Sequence, residues 1–200
     1  YGTGARVQKE LPDCTVLDGS IYVSASLEHP GVLVQHGPIL RVVFGPRDPS
    51  YISPILSAIQ SDLCESGIDG VLSTHIQRDA LEKFSYVSPI GASGVYLHAV
   101  AGDFQKEGPA RELFKSMIRE ISALAAAMGY PFEKDYVKIN LEILSNLSAD
   151  ATTSMQRDIM EGKPSELDGL VMEPLRLAKK YSVSMPCYEE VANVLCPLEF

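Results

Sequence analysis

The sequence has no tryptophan and only 17 lysine and arginine residues, against 26 aspartate and glutamate residues. Its net charge of -9 argues against a nucleic-acid-binding protein, because such binding depends on clustered lysine and arginine. No apolar run approaches the roughly 20 residues that a membrane-spanning helix needs. We therefore expect neither a nucleic-acid partner nor a membrane partner.

Cysteine and histidine are also scarce and scattered. The four cysteines form no C-x-x-C pair, and the four histidines lack the spacing of metal ligands. We therefore predict no metal site and no disulfide framework. A reducing cytoplasm is the compartment that this cysteine usage indicates.

Residues 1–48 have the pattern of short β-strands. Runs rich in β-branched residues at 15–27, 32–34 and 39–44 are separated by Pro-Gly and Gly-Pro turns. This pattern predicts an antiparallel β-meander. Three short strands bury little apolar surface, so we expect them to complete a larger sheet or to pack on the chain after residue 48.

Residues 49–200 change to a helical period, with apolar residues three and four positions apart. The predicted fold class is therefore α+β, a short antiparallel meander followed by a mainly α-helical domain of six or seven helices. The helices are expected near 52–63, 75–88, 109–125, 136–147, 152–160, 167–181 and 188–195.

Lys83 lies at the rim of the apolar face of the helix predicted from residue 75. Two interpretations are open for a lysine in that position. Its stem can follow the apolar surface while the ammonium reaches water, which position alone favours. Alternatively, a partly desolvated ammonium faces a cleft, where it donates a proton or binds an anion.

Ser154 and Glu166 have similarly divided interpretations. Glu166 falls in the first turn of a predicted helix, where a carboxylate complements the helix dipole and needs no further function. Ser154 alone is more often a solvated hydroxyl than a ligand. Spacing by itself does not decide whether either residue has a further function.

Four segments together carry the pattern of a known family. They are TTSMQRDI at 152–159, SELD at 165–168, LEKF at 81–84 and LRLAKKYSVSMP at 175–186. With the first two segments at this interval, they resemble the ketopantoate reductases (2-dehydropantoate 2-reductases). The resemblance extends over almost the whole chain, and the pair formed by the first two segments is the most specific part.

The resemblance implies an NADPH-dependent oxidoreductase that reduces a 2-oxo acid to a 2-hydroxy acid. It makes Lys83 the proton donor and makes Ser154 and Glu166 substrate ligands. It also makes residues 1–48 the last edge strands of a Rossmann-type nucleotide-binding domain, and residues 49–200 a helical substrate-binding and dimerisation domain. Apolar helix faces that the missing domain leaves exposed would promote self-association, so a homodimer is expected.

Two features depart from the family pattern. Val87 and Gly91 stand where asparagines follow the lysine in the best-known members. The chain also begins at Tyr1 without methionine and without a dinucleotide-binding half, so we expect a piece of a longer enzyme that is inactive alone. The alternative is a helical dimerisation or binding module that kept the scaffold and lost the catalysis.

Overall fold

The computed structural model describes residues 1–196. Their contacts divide the chain into two compact units, Gly2–Ala80 and a second one that starts at Leu81. The domain boundaries predicted at 1–48 and 49–200 refer to the domains of a longer enzyme, and they stay a prediction. Residues 197–200 lie outside the described residues. No helix within residues 1–196 combines the length and apolar character needed to cross a membrane.

A three-stranded sheet with two helices forms the first unit. Its elements in chain order are α1 (Thr3–Glu10), β1 (Leu17–His29), β2 (Val32–Pro46), α2 (Pro54–Glu65) and β3 (Asp69–Leu72). β2 is the central strand, because β1 pairs with it antiparallel and β3 pairs with it parallel. Parallel pairing needs a crossover connection, which α2 supplies.

The sheet differs from the predicted meander in two respects. Segments 32–34 and 39–44 belong to one strand, because Gly37 adopts a φ of +85° and the register shifts opposite it, between Val23 and Ala25. The Gly-Pro pair is thus a bulge inside β2 and not a break. The third strand is β3, whose residues the sequence pattern did not assign to the sheet.

Helices make up the rest of the described chain, which confirms the α+β fold class. One of them, α4, was not predicted. Gly129 and Gly162, which follow α5 and α7, have φ of +88° and +66°, as expected for helix-ending glycines. The elements are α3 (Ile76–Leu97), α4 (Ala101–Gln105), α5 (Pro109–Ala127), α6 (Tyr136–Ser145), α7 (Ser154–Met160), a π-helical segment (Asp168–Met172), α8 (Glu173–Tyr181) and α9 (Pro186–Leu195).

α5 is the central helix of the second unit. Its predicted apolar stripe is buried along its length and contributes to two separate core clusters. Met117 and Ile121 pack with residues of α8 and α9, whereas Phe114 and Ile118 pack with residues of α4 and α6. The sequence period of α5 therefore determines where the core of this unit lies.

α3 does not end before Pro89, where the sequence predicted an interruption. A proline inside a helix removes the donor to the carbonyl four residues earlier, which here is Ser85. The buried Asn140 of α6 replaces that donor, since its Nδ2 donates to the Ser85 carbonyl at 3.0 Å. α3 therefore runs unbroken to Leu97.

Candidate active site

The face of α3 that contains Lys83 also contains Val87 and Gly91, one turn and two turns further on. Lys83 is half-buried. Burial lowers the pKa of its ammonium from the usual 10.5, and the charge of Glu166 opposes that change by raising it. Partial burial of Lys83 fits both interpretations, because a stem that follows the apolar face of α3 is covered whether the ammonium reaches water or faces a cleft.

Glu166 lies in the turn between α7 and the π-helical segment, and its side chain is exposed. Ser165 and Asp168 have the S-x-x-D spacing of a cap for the following helix. Asp168 instead pairs with Arg176 of α8, whose Nη1 donates to Oδ2 at 3.1 Å. Glu166 is thus the carboxylate of this turn whose charge acts on Lys83.

Ser154 is the first residue of α7 and is exposed. The turn before it is held by a reciprocal capping box, in which Thr153 Oγ1 accepts from the N–H of Gln156 and Gln156 Oε1 accepts from the N–H of Thr153. Gln156 Nε2 also donates to the Ala99 carbonyl at 2.7 Å. The position of the Ser154 backbone is therefore fixed although its side chain is open to solvent.

Thr153 and Gln156 are residues that the functional interpretation of the sequence overlooked. The spacing T-x-x-Q just before an apolar run is a capping-box signal, so the sequence did contain the information. Ser88 was overlooked as well, and it has no comparable local signal. Its hydroxyl contacts Leu170 and Tyr188, which are 82 and 100 residues away in the chain.

Gly91 allows two elements to approach α3 closely. A Cβ at this position would lie 3.1 Å from Met155 Cε and 3.8 Å from Leu170 Cδ1. The start of α7 and the π-helical segment therefore both pack over Gly91, and an asparagine side chain would have to displace Met155. This packing gives a physical reason for one of the two departures from the family pattern.

The three candidate residues differ in their exposure. Lys83 is half-buried, while Ser154 and Glu166 are exposed. A neighbouring cavity of about 240 Å³ is lined by Tyr86, Thr153 and others, and its lining includes none of the three candidate residues. Within residues 1–196, no group of three or more histidine, cysteine, aspartate or glutamate side chains is placed to hold a metal ion.

The family assignment follows from the sequence. Residues 75–199 match the family described as "Ketopantoate reductase PanE/ApbA C terminal", which is more than half of the chain. The chain belongs to the ketopantoate reductase family. The resemblance predicted from the motifs is thereby confirmed.

A curated member of similar sequence is 2-dehydropantoate 2-reductase from Nostoc sp. (strain PCC 7120 / SAG 25.82 / UTEX 2576), 21% identical over 189 residues. That match covers 92% of this chain and 59% of the relative. The chain thus spans about three fifths of the length of the relative. It corresponds to the C-terminal part of a ketopantoate reductase-like oxidoreductase.

Several solved structures share the fold of this chain. 2-Dehydropantoate 2-reductase from Methylococcus capsulatus superposes with a TM-score of 0.86 at 23% identity, covering 98% of this chain and 62% of that one. D-mandelate dehydrogenase with NADH and anilino(oxo)acetate gives 0.83 at 18% identity, covering 97% and 63%. A dimeric ketopantoate reductase from Staphylococcus aureus gives 0.75 at 19% identity, covering 90% and 60%. At these identities the likeness shows the fold alone.

Proposed function

We propose that this chain is the substrate-binding part of a reductase that converts a 2-oxo acid to a 2-hydroxy acid with NADPH. The supporting observation is the half-buried ammonium of Lys83, on which the carboxylate charge of Glu166 acts, in a ketopantoate reductase scaffold. Reduction of a ketone develops negative charge on its oxygen. A nearby ammonium stabilises that charge and then supplies the proton that neutralises it.

Each candidate residue has a distinct role in this proposal. The nicotinamide cofactor, when bound, supplies the hydride that reaches the carbonyl carbon of the substrate. Lys83 Nζ donates a proton to the carbonyl oxygen, so Lys83 must be protonated before each turnover. The Ser154 hydroxyl and the Glu166 carboxylate hydrogen-bond the substrate and fix its orientation, which matters because transfer tolerates little misplacement.

Cofactor binding is assigned mainly to parts of the full-length enzyme outside this chain. Residues 1–200 contain no G-x-G-x-x-G run, the loop that places a pyrophosphate at a helix N-terminus. We therefore propose that the chain alone is inactive. NADPH is the proposed cofactor, and NADH is the second one to test because a related dehydrogenase structure contains it.

The reaction can be measured directly on the full-length protein. Oxidation of NADPH and of NADH is followed with 2-dehydropantoate and with smaller 2-oxo acids. We expect oxidation of NADPH that depends on one of these acids. No oxidation of either nucleotide with any of them would contradict the proposal.

The second candidate function is a non-catalytic helical module. The observation that favours it is the apolar character of the α3 face beyond Lys83, where Val87 and Gly91 offer no polar side chain to a substrate. Under this alternative the full-length protein has no reductase activity but still associates. The oxidation assay with the two nucleotides therefore separates the two functions.

We also propose that the full-length protein forms a homodimer. The dimeric family member from Staphylococcus aureus supports this state for the shared fold. Exposed apolar side chains such as Met160 and Val194, which are 82% and 59% exposed, offer surface for association. Light scattering coupled to gel filtration measures the mass.

Replacing Glu166 with glutamine is expected to move the alkaline limb of the pH–rate profile to lower pH. The glutamine removes the charge that raises the pKa of Lys83, whereas burial continues to lower it. Because Lys83 acts while protonated, the rate falls as pH rises through its pKa, and a lower pKa brings that fall to lower pH. Measurement of kcat/KM as a function of pH gives the position of the alkaline limb.

The matched control for this substitution is Glu161→Gln. Glu161 is an exposed carboxylate that pairs with Lys163, so its loss should leave the alkaline limb in place. A limb that stays fixed in Glu166→Gln, or moves to higher pH, would show that Glu166 does not act on Lys83.

A further inference from the structure

A side-chain hydrogen bond connects α3 to the π-helical segment. Ser88, five residues after Lys83 on α3, is fully buried and donates its hydroxyl hydrogen to the Leu170 carbonyl at 2.6 Å. Leu170 also packs over Gly91, where a Cβ would be 3.8 Å from its Cδ1. The contact therefore lies next to the place where Leu170 packs on α3, two turns after Lys83.

Pro174 leaves the Leu170 carbonyl without the ordinary α-helical donor. In an α-helix that carbonyl would accept from the residue four positions later, but proline has no N–H and its ring would clash with the carbonyl. The chain widens here into a π-helix, in which the N–H of Glu173 bonds the carbonyl of Asp168, five residues earlier. Ser88 then satisfies the carbonyl that Pro174 cannot.

Leu170 is in turn bonded directly to Glu166. The N–H of Leu170 donates to the Glu166 carbonyl at 2.9 Å. Its two backbone groups therefore connect Ser88 on one side with Glu166 on the other. Lys83 and Ser88 belong to the same helix, so this short path fixes the turn that contains Glu166 relative to the helix that contains Lys83.

Tyr188 of α9 fixes the orientation of Ser88. The two hydroxyl oxygens are 2.5 Å apart, and since the Ser88 hydrogen goes to Leu170, Tyr188 is the donor. Tyr188 is fully buried, and this burial raises the pKa of its phenol, which keeps it protonated. Glu120 of α5 fixes the start of α9 by accepting from the N–H of Cys187 at 2.8 Å and of Tyr188 at 3.1 Å.

We propose that Ser88 is a positioning residue that holds Glu166 near Lys83 through its hydrogen bond to the Leu170 carbonyl. The proposal rests on the proposed function for its catalytic consequence. Its structural content does not depend on turnover, because the effect of Glu166 on Lys83 can be measured without substrate. Ser88 itself does not contact the reacting atoms in this scheme.

The test measures the pKa of Lys83 by NMR in the full-length protein after ¹³C reductive methylation, with Lys83→Met used to assign the signal. We expect Ser88→Ala to lower this pKa toward its value in Glu166→Gln, and Ser88→Ala added to Glu166→Gln to cause little further change. Asp79 and Glu82, the acidic residues of α3 nearest Lys83, are unchanged in every variant. A difference in the pKa of Lys83 between variants therefore does not come from replacing either of them.

Ser93→Ala is the matched control, because Ser93 is equally buried on α3 but donates within the helix, to the Pro89 carbonyl. It should leave the pKa of Lys83 unchanged. A parent-like pKa in folded Ser88→Ala, or an equal decrease in Ser93→Ala, would overturn the proposal. If Ser88→Ala does not fold, Ser88→Cys is used instead, because it keeps a weak donor. The pKa of Lys83 in Ser88→Cys must then lie between its values in the parent and in Glu166→Gln.

Activity gives the second measurement. Misplacement of Glu166 should lower kcat of Ser88→Ala roughly tenfold to a hundredfold and move its alkaline limb to lower pH, as in Glu166→Gln. Ser88→Thr, which keeps the hydroxyl, should recover the parent limb. If the parent itself shows no turnover, the proposed function fails, while the pKa comparison still decides the role of Ser88.

Discussion

Lys83→Met in the full-length protein is expected to lower kcat by about 10²–10⁴-fold, the usual contribution of a positioned general acid. Methionine keeps an apolar stem of similar length, so the packing along α3 is retained while the ammonium is lost. If Lys83 acts on charge that develops in the transition state, kcat and kcat/KM should fall together. Steady-state kinetics with the 2-oxo acid that the parent enzyme reduces measures both.

The control for this substitution is Lys179→Met, which removes an exposed ammonium from α8. It should leave kcat unchanged within the error of the assay. Circular dichroism should show the same helix content in both variants and the parent. A Lys83→Met enzyme that turns over at the parental rate would exclude the proton-donor role and would favour the non-catalytic module.

Ile121→Ala is expected to cost about 2–5 kcal/mol of folding free energy, the largest stability effect that we predict. Ile121 is fully buried on the central helix α5 and belongs to the cluster shared with α8 and α9. Its truncation removes buried apolar surface and leaves a cavity that rigid helices fill only in part. Urea unfolding of the chain measures the change.

Ile143→Ala provides the comparison of the same side chain in another environment. Ile143 lies on α6 and is 44% exposed, so its truncation should cost clearly less than that of Ile121. Equal costs for the two substitutions would show that α5 is not at the centre of the packing. If both variants unfold in one step, the urea midpoint should shift while the slope of the unfolding free energy against urea concentration stays the same.

The helical core is the part of this fold that the sequence predicted best. The apolar stripe of α5 and the glycines after α5 and α7 are local signals, because a helix face repeats every three to four residues and a helix end needs a particular backbone angle. The capping box before Ser154 belongs to the same class of signal. The family motifs are local as well, and the family match confirms the family that they indicated.

The strands show where local signals mislead. A Gly-Pro pair ordinarily marks a turn, but at Gly37 the partner strand β1 continues on both sides and a bulge absorbs the extra residues. The run 70–72 is too short to be predicted as a strand from its own residues. Its pairing with β2 makes it a strand. Pairing between distant segments therefore determined the sheet.

By itself, the sequence determined the class of the fold, the buried face of α5 and the identity of the candidate residues Lys83, Ser154 and Glu166. Tertiary structure alone decided that α3 passes through Pro89 and that Ser88 donates to the Leu170 carbonyl, to which Pro174 has no N–H to donate. The donors that make both possible, Asn140 and Ser88, lie 55 and 82 residues from their acceptors. A proline in the sequence shows which carbonyl loses its ordinary helical donor. The replacement donor is a distant side chain, and only the packing of the fold brings it within hydrogen-bond distance.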